Sequence, residues 1–282
     1  MTRALILTAL IACNPAEETD PQGQEVVLNV EALVGSVPAA CGQDYSFGTS
    51  QTPGQLADAR VFLSGIELQN AAGDWVPLTL NSDSPWQHES VVLLDFEDAS
   101  AACADSGTPE LNSEIKGTLP EGSYEGIRFD VGVPYELNHS DNANAPAPLN
   151  TPGMFWTWQG GYKFLRVDVM LNDGHSFRWN NHIGSTGCVS DSPVNPPSAP
   201  CNHPNRATIT QANFSLESPL RLDLSALLSQ TDVLADTPDS PPGCMSAPNE
   251  PLDCDGPFAA LGLSFETGDC SNDCADQLLV LP

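Results

Sequence analysis

The segment Met154-Phe155-Trp156-Thr157-Trp158-Gln159 places two of the chain's five tryptophans at i and i+2. Leu137-Asn138-His139 precedes it, and Asn181-His182-Ile183-Gly184-Ser185-Thr186-Gly187-Cys188 follows. On an extended strand, side chains at i and i+2 share a face, so this spacing predicts two indoles side by side. Oxidisable aromatics flanked by two imidazoles outline either a metal site or a site made by oxidising one ring.

The chain has five histidines: His88, His139, His175, His182 and His203. His139 stands in a Pro/Asn-rich loop just before the tryptophans, and His182 ends a strand-like run after them. In an antiparallel meander the two segments would converge at one end of the fold. Imidazoles beside a soft aromatic or sulfur neighbour suit copper better than calcium. Met154 offers a thioether to such a site, against its competing use as a core filler. Hydrolytic motifs fail on inspection. In Gly184-Ser185-Thr186-Gly187 the glycine abuts the serine, whereas a nucleophile elbow needs an intervening residue on each side. His-Glu-x-x-His, the phosphate-binding glycine loop and the dinucleotide fingerprint do not occur, so the expectation is a binding protein and not an enzyme.

Residues 1–12 read as a lipoprotein signal peptide: Arg3 supplies a positive charge, Ala4 to Ala12 is apolar, and Leu10-Ile11-Ala12-Cys13 forms a lipobox. Cys13 is then the lipidated residue, and residues 13–24 are an acidic tether. Asn14 after the lipidated cysteine favours the periplasmic side of the outer membrane or the cell surface. Cys41, Cys103, Cys188, Cys201, Cys244, Cys254, Cys270 and Cys274 remain. Their even number in an exported chain argues for disulfides. Proximity along the chain favours Cys188–Cys201, Cys244–Cys254 and Cys270–Cys274, leaving Cys41 with Cys103. Eight cysteines nevertheless allow about 105 connectivities. A zinc-thiolate cluster is the rival reading, and the absence of Cys-x-x-Cys speaks against it. Nine basic residues face thirty-seven acidic ones, for a net charge of -28. That excludes nucleic-acid binding through phosphate contacts, which needs clustered Lys and Arg.

Residues 25–282 are expected to form one all-β domain, an antiparallel sandwich or barrel-like fold with long disulfide-stapled loops. Strand-like runs bounded by turn residues cover 25–34, 59–69, 75–80, 89–96, 124–131, 162–171, 176–180, 207–216 and 220–224. Residues 222–228 hint at a helix. The Pro-, Cys- and Asp-rich last sixty residues read as stapled loops.

Several strings together resemble the MbnP family, the methanobactin-associated copper proteins also called the metallo-mystery pair four-Cys family. They include Leu93-Leu94-Asp95-Phe96-Glu97, Gly132-Val133-Pro134-Tyr135-Glu136-Leu137-Asn138-His139, Ala147-Pro148-Leu149-Asn150 and Met154 to Phe164. Further strings are His182 to Cys188, Pro200-Cys201, Pro204-Asn205-Arg206 and Pro242-Gly243-Cys244-Met245-Ser246. The resemblance runs from about Val26 to Leu263. It implies an exported protein of copper homeostasis that binds one Cu(I) ion. It also implies a dihaem partner of the MauG/cytochrome c peroxidase type, MbnH-like, that oxidises the first tryptophan of Trp-x-Trp, here Trp156, to kynurenine. Under that resemblance His139 and His182 are the imidazole ligands and modified Trp156 is the third donor or a wall. His88, Met154 and Trp158 are further metal or supporting candidates, and Trp158 is a candidate relay to the haem. The family's four cysteines correspond to Cys188, Cys201, Cys244 and Cys254, with Cys41 and Cys103 a further pair. The Cys270/Cys274 tail has no counterpart. The competing reading is an acidic cell-surface sandwich that binds calcium or a protein partner, with Asp141-Asn142-Ala143-Asn144 the nearest approach to a calcium loop.

Overall fold

In the computed structural model, residues 23–105, 107–172 and 177–281 are described. The expected leader, Cys13, most of the tether and His175 lie outside them. Two open sheets pack on each other as a sandwich. The larger is built on the strand Thr52–Asn70, which pairs with Tyr124–Val131 on one side and with Leu165–Leu171 on the other. Ala207–Ala212 extends it beyond Tyr124–Val131, and Phe177–Ile183 extends it beyond Leu165–Leu171. Val91–Asp95 also pairs with the middle of the long strand, residues 60–64. The smaller sheet centres on Gln24–Val34, flanked by Glu114–Leu119 and Leu220–Asp223.

The long strand explains itself by burial on both faces. Val61 and Leu63 point into the main core, which draws Leu28, Val30, Ile115, Leu220 and Leu222 from the smaller sheet. Phe62, between them, points outward into a second apolar cluster with Val91, Leu93, Val133, Leu149, Met154, Tyr162 and Phe164. Alternation by two therefore disappears from the hydropathy and reappears as two separate cores. Phe62 and Phe155 meet Tyr162 edge-on, with ring centroids 5.6 and 5.0 Å away. Such contacts contribute about 0.5–1.5 kcal/mol each beyond their burial. This second core anchors the segment that carries Trp156 to the outer face of the larger sheet.

The four bridges join Cys41–Cys103, Cys188–Cys201, Cys244–Cys254 and Cys270–Cys274. Three expectations need correction. The sheets are not purely antiparallel, because Gln24–Val34 pairs parallel with Leu220–Asp223 and Phe177–Ile183 pairs parallel with Gly243–Cys244. Both pairs join segments distant in the chain, so no hairpin constrains their direction. The cysteine-rich tail is not all loop, since Pro251–Ala260 is helical. Pro251 opens that helix, where a missing N–H costs nothing, and Phe258 and Cys254 are buried beneath it. Residues 226–228 form a single 3-10 turn that follows the strand ending at Asp223, so the helical hint reduces to one turn.

Candidate metal centre

Trp156 and Trp158 do not share a strand face. The strand is only Phe155–Thr157, paired with Gly161–Tyr162, and Trp158 falls in the turn between them. The Thr157 hydroxyl accepts the Gly160 N–H at 2.9 Å and closes that turn. The six-membered ring of Trp156 lies over Gly184. A Cβ at residue 184 would stand 2.5 Å from Trp156 Cζ3 and 2.6 Å from the Tyr162 carbonyl. Glycine is thus required there by close approach.

Trp156 is half-buried and forms one wall of an open cleft of about 480 Å³. Gly160, Ser185, Cys188, Met245 and Pro248 complete much of the lining. Among the described residues, no Asp or Glu lines this cleft, although the chain holds thirty-seven. Met245 is placed by its neighbours. The Gly184 N–H donates to Ser246 Oγ (3.2 Å), and that hydroxyl donates to the His182 carbonyl (3.0 Å). Gly243, with φ of 91°, allows the backbone to run beside Asn180, where a Cβ would stand 2.0 Å from the Asn180 oxygen.

The two histidines occupy different surroundings. His139 is buried, and its Nδ1 lies 3.0 Å from the Trp158 carbonyl. A carbonyl only accepts, so Nδ1 carries the proton. Asn138 confirms this tautomer. Its Oδ1 accepts the Tyr162 N–H at 2.8 Å, which leaves Nδ2 to donate to His139 Nε2 at 3.2 Å. Burial lowers the His139 pKa, against the opposing carbonyl contact. The ring is therefore neutral at neutral pH and holds a lone pair on Nε2. That nitrogen faces Cys201 Sγ at 3.5 Å.

His182 faces a ledge of buried charge on the outer surface of the larger sheet. Its Nε2 lies 2.9 Å from Asp168 Oδ1, off the line of a straight hydrogen bond. Asp168 also meets Arg166 Nε at 2.9 Å and Arg178 at 3.0 Å, while Asp58 bridges Arg60 and Arg166. The register places these residues together, with Arg166 opposite both Arg60 and His182, and Asp168 opposite Asp58. Burial disfavours ionisation of Asp168, but His182 and the two arginines outweigh it and hold the carboxyl far below its usual range. Burial lowers the His182 pKa, against the pull of Asp168. Burial also brings Lys163 down to about 8 and Asp95 up to about 7. The Lys163 ammonium and Arg166 both donate to the Gly153 carbonyl, at 2.8 and 3.2 Å, which pins the tryptophan segment to the ledge. Arg60, Lys163, Arg166 and Arg178 make this ledge from four of the chain's nine basic residues.

The structure thus brings Trp156, Cys188 and Met245 to one cleft, with His139 behind Cys188 and His182 on the strand that ends beside Gly184. Neither imidazole lines the cleft itself. Met154 is fully buried in the second core, where it packs. Trp158 contributes its carbonyl to His139. His88 sits 3.4 Å from Glu89 in a short edge strand, and His203 pairs with Thr186 through its backbone. Asp141 uses both carboxylate oxygens within its own loop, on the Ala143 N–H and the Asn144 amide. Sequence reasoning passed over Asn138, Asp168, Met245 and Ser246. Asn138 and Met245 stood inside the quoted family strings, whereas Asp168 carries no local signal.

The cleft suits a soft, low-charge ion. Its one thioether, Met245, is a soft donor, and a lining without a described carboxylate disfavours calcium, while both imidazoles stand outside the lining. No curated protein matches this chain. The solved structure of MbnP from Methylosinus trichosporium is similar, with a TM-score of 0.77 and 31% identity over 92% of this chain and 94% of that one. The MbnP family model matches residues 23–246, which contain Trp156, both site histidines and Met245. The chain therefore belongs to the MbnP family.

Proposed function

We propose that this protein is an exported, lipid-anchored Cu(I)-binding protein of copper homeostasis. Its site matures when a dihaem MauG-like partner oxidises Trp156 to kynurenine. The observation that carries the reading is the cleft walled by Trp156, lined by no Asp or Glu among the described residues of so acidic a chain. Two oxygen atoms add across the indole C2–C3 bond and cleave it, with oxidising equivalents from peroxide-charged haem. Water then releases C2 as formate. An aryl ketone and a neutral aniline nitrogen remain where the indole lay.

Trp156 meets Gly184 through Cζ3 and Cη2, so that nitrogen forms at the opposite edge of the six-membered ring. His139 and His182 would hold copper together with it, and Met245 on the cleft wall would be a soft neighbour. The ion supplies no reaction of its own here; it is cargo. His139 is already in the tautomer that a metal requires, with Nδ1–H held by the Trp158 carbonyl. The half-buried Trp156 is open to a partner's surface, whereas the fully buried Trp179 is not.

The test is peptide mass spectrometry and copper analysis of protein co-expressed with a dihaem partner, beside a Trp156→Phe variant. Conversion at Trp156 with one copper per chain, both lost in the variant, is the expected result. Full copper occupancy on unmodified Trp156 would overturn the maturation step, and absence of copper from the converted protein would overturn the copper reading.

A further inference from the structure

At the edge of the cleft, three donor atoms stand together independently of Trp156. A His139 ring nitrogen and the sulfurs of Cys188 and Cys201 all lie within 4.8 Å of one another. The sulfurs are joined in this state, and His139 Nε2, which accepts from the Asn138 amide, stands 3.5 Å from Cys201 Sγ. We infer that the Cys188–Cys201 disulfide is a latent soft-metal site, which on reduction holds one thiophilic ion between both thiolates and His139 Nε2.

Three features of the geometry support this. First, the imidazole is preset. Its Nδ1–H is fixed by a carbonyl, as in metal-bound histidines, and its Nε2 already stands 3.5 Å from sulfur. Donors on a tetrahedral ion with bonds of about 2.0–2.3 Å lie roughly 3.3–3.8 Å apart. Once the covalent bond is gone, the sulfurs need part by only about 2 Å to reach that spacing.

Second, the backbone keeps the cysteines adjacent without the bridge. Thr186 and His203 exchange two hydrogen bonds of 3.0 Å, and the Asn202 N–H donates to the Gly187 carbonyl at 3.3 Å. These pairs sit immediately beside Cys188 and Cys201. The intervening loop is held separately, by Gln159 on the Cys188 carbonyl (2.9 Å) and by the Tyr135 hydroxyl on the Pro197 carbonyl (3.0 Å).

Third, this bridge has a half-buried cysteine at both ends, so either sulfur can be attacked. Cys188 and Cys201 are both half-buried and Cys188 lines the cleft. Each of the other three bridges has at least one fully buried cysteine: Cys103, both Cys244 and Cys254, and Cys274. Thiol–disulfide exchange requires a thiolate to reach a sulfur.

The chemistry balances with a dithiol as reductant. It passes two electrons and two protons to the bridge and closes to its own disulfide, and Cys188 and Cys201 become thiols. A divalent ion then displaces both protons to solvent and takes two thiolates and one neutral imidazole, with a fourth position open to water. The resulting site is neutral overall, which suits the edge of a cleft lined by no Asp or Glu among the described residues.

The experiment uses Cd(II) as probe on the Trp156→Phe protein, in which the kynurenine site cannot form, so the outcome does not depend on the proposed maturation. Mild dithiol treatment followed by alkylation and mass mapping should label Cys188 and Cys201 first. The reduced protein should bind one Cd(II) per chain with a sulfur-to-cadmium absorption band, and the oxidised protein should show no such band. Cys188→Ser/Cys201→Ser should abolish the band. His139→Gln, which leaves every disulfide in place, should weaken binding at least about tenfold. Persistence of the band in the double variant, earlier labelling of another bridge, or unchanged affinity in His139→Gln would each overturn the inference. Should the double variant fail to fold, the labelling order and His139→Gln decide.

Discussion

The surroundings of His139 and His182 differ in kind. His139 is surrounded by neutral groups: a carbonyl, a carboxamide, the Tyr135 ring 5.5 Å away and a disulfide. His182 is one member of a charged network that includes three arginines, a lysine and several carboxylates. Both imidazoles are buried, and burial lowers both pKa values. One ring is therefore oriented by dipoles, with an Nε2 lone pair that accepts from the Asn138 amide. The other is oriented by ion pairs whose removal disturbs the sheet itself. Proximity to the tryptophan segment does not make two histidines equivalent.

The sharpest way to break this contrast is Asp168→Asn. It leaves the half-buried Arg166 and Arg178 around an uncharged amide, and the cost is at most that of breaking a fully buried pair, about 3–5 kcal/mol. Denaturant unfolding at neutral pH should show a drop of this order, and an unchanged midpoint would mean that the network is not organised around Asp168.

A smaller effect separates the regions by pH. Asp95, on the ledge beside Arg60, has its carboxyl pushed up from 3.8 to about 7 by burial. The folded state then binds more protons than the unfolded state between those values, so stability falls as pH rises through this window, by at most about 4 kcal/mol. Lys163, brought down from 10.5 to about 8, has the opposite sign, because the unfolded state binds more protons between about pH 8 and 10.5. Stability should therefore rise with pH there. Denaturation across pH 4–10 should show the ledge's contribution to be least near pH 7–8, and Asp95→Asn should flatten the acid side. A profile unchanged by that substitution would remove Asp95 as its source.

The smallest expected change sharpens the comparison from the neutral side. His139→Gln removes one buried hydrogen bond to the Trp158 carbonyl and should cost about 1 kcal/mol, while copper binding by matured protein falls sharply. Unchanged copper affinity would exclude His139 as a ligand.

Much of the fold was readable because the strands keep their alternation where only one face is buried, as in Tyr124–Val131. Glu114–Leu119 was missed. Its buried positions Ile115, Gly117 and Leu119 do alternate, but Gly117 interrupts the apolar signal. A Cβ there would stand 2.5 Å from the Thr79 carbonyl, so the glycine marks close strand approach and not a turn. The helix Pro251–Ala260 was missed because Gly256 and Pro257 depress its propensity. It is held by a disulfide and by Phe258 against the core, which no local pattern expresses.

The sequence by itself determined the β-rich character, the oxidised cysteine pairs close in the chain, and the segment that carries Trp156. These follow from residue type and local spacing. Tertiary structure alone decided that Trp158 turns out of the strand while Trp156 covers Gly184. It also decided that Met154 is core while Met245 reaches the cleft, and that His182 answers to Asp168 while His139 faces a disulfide. Cross-strand register and the packing of distant loops set those choices. Partners brought together by register can lie a hundred residues apart, so no local pattern in the sequence announces them.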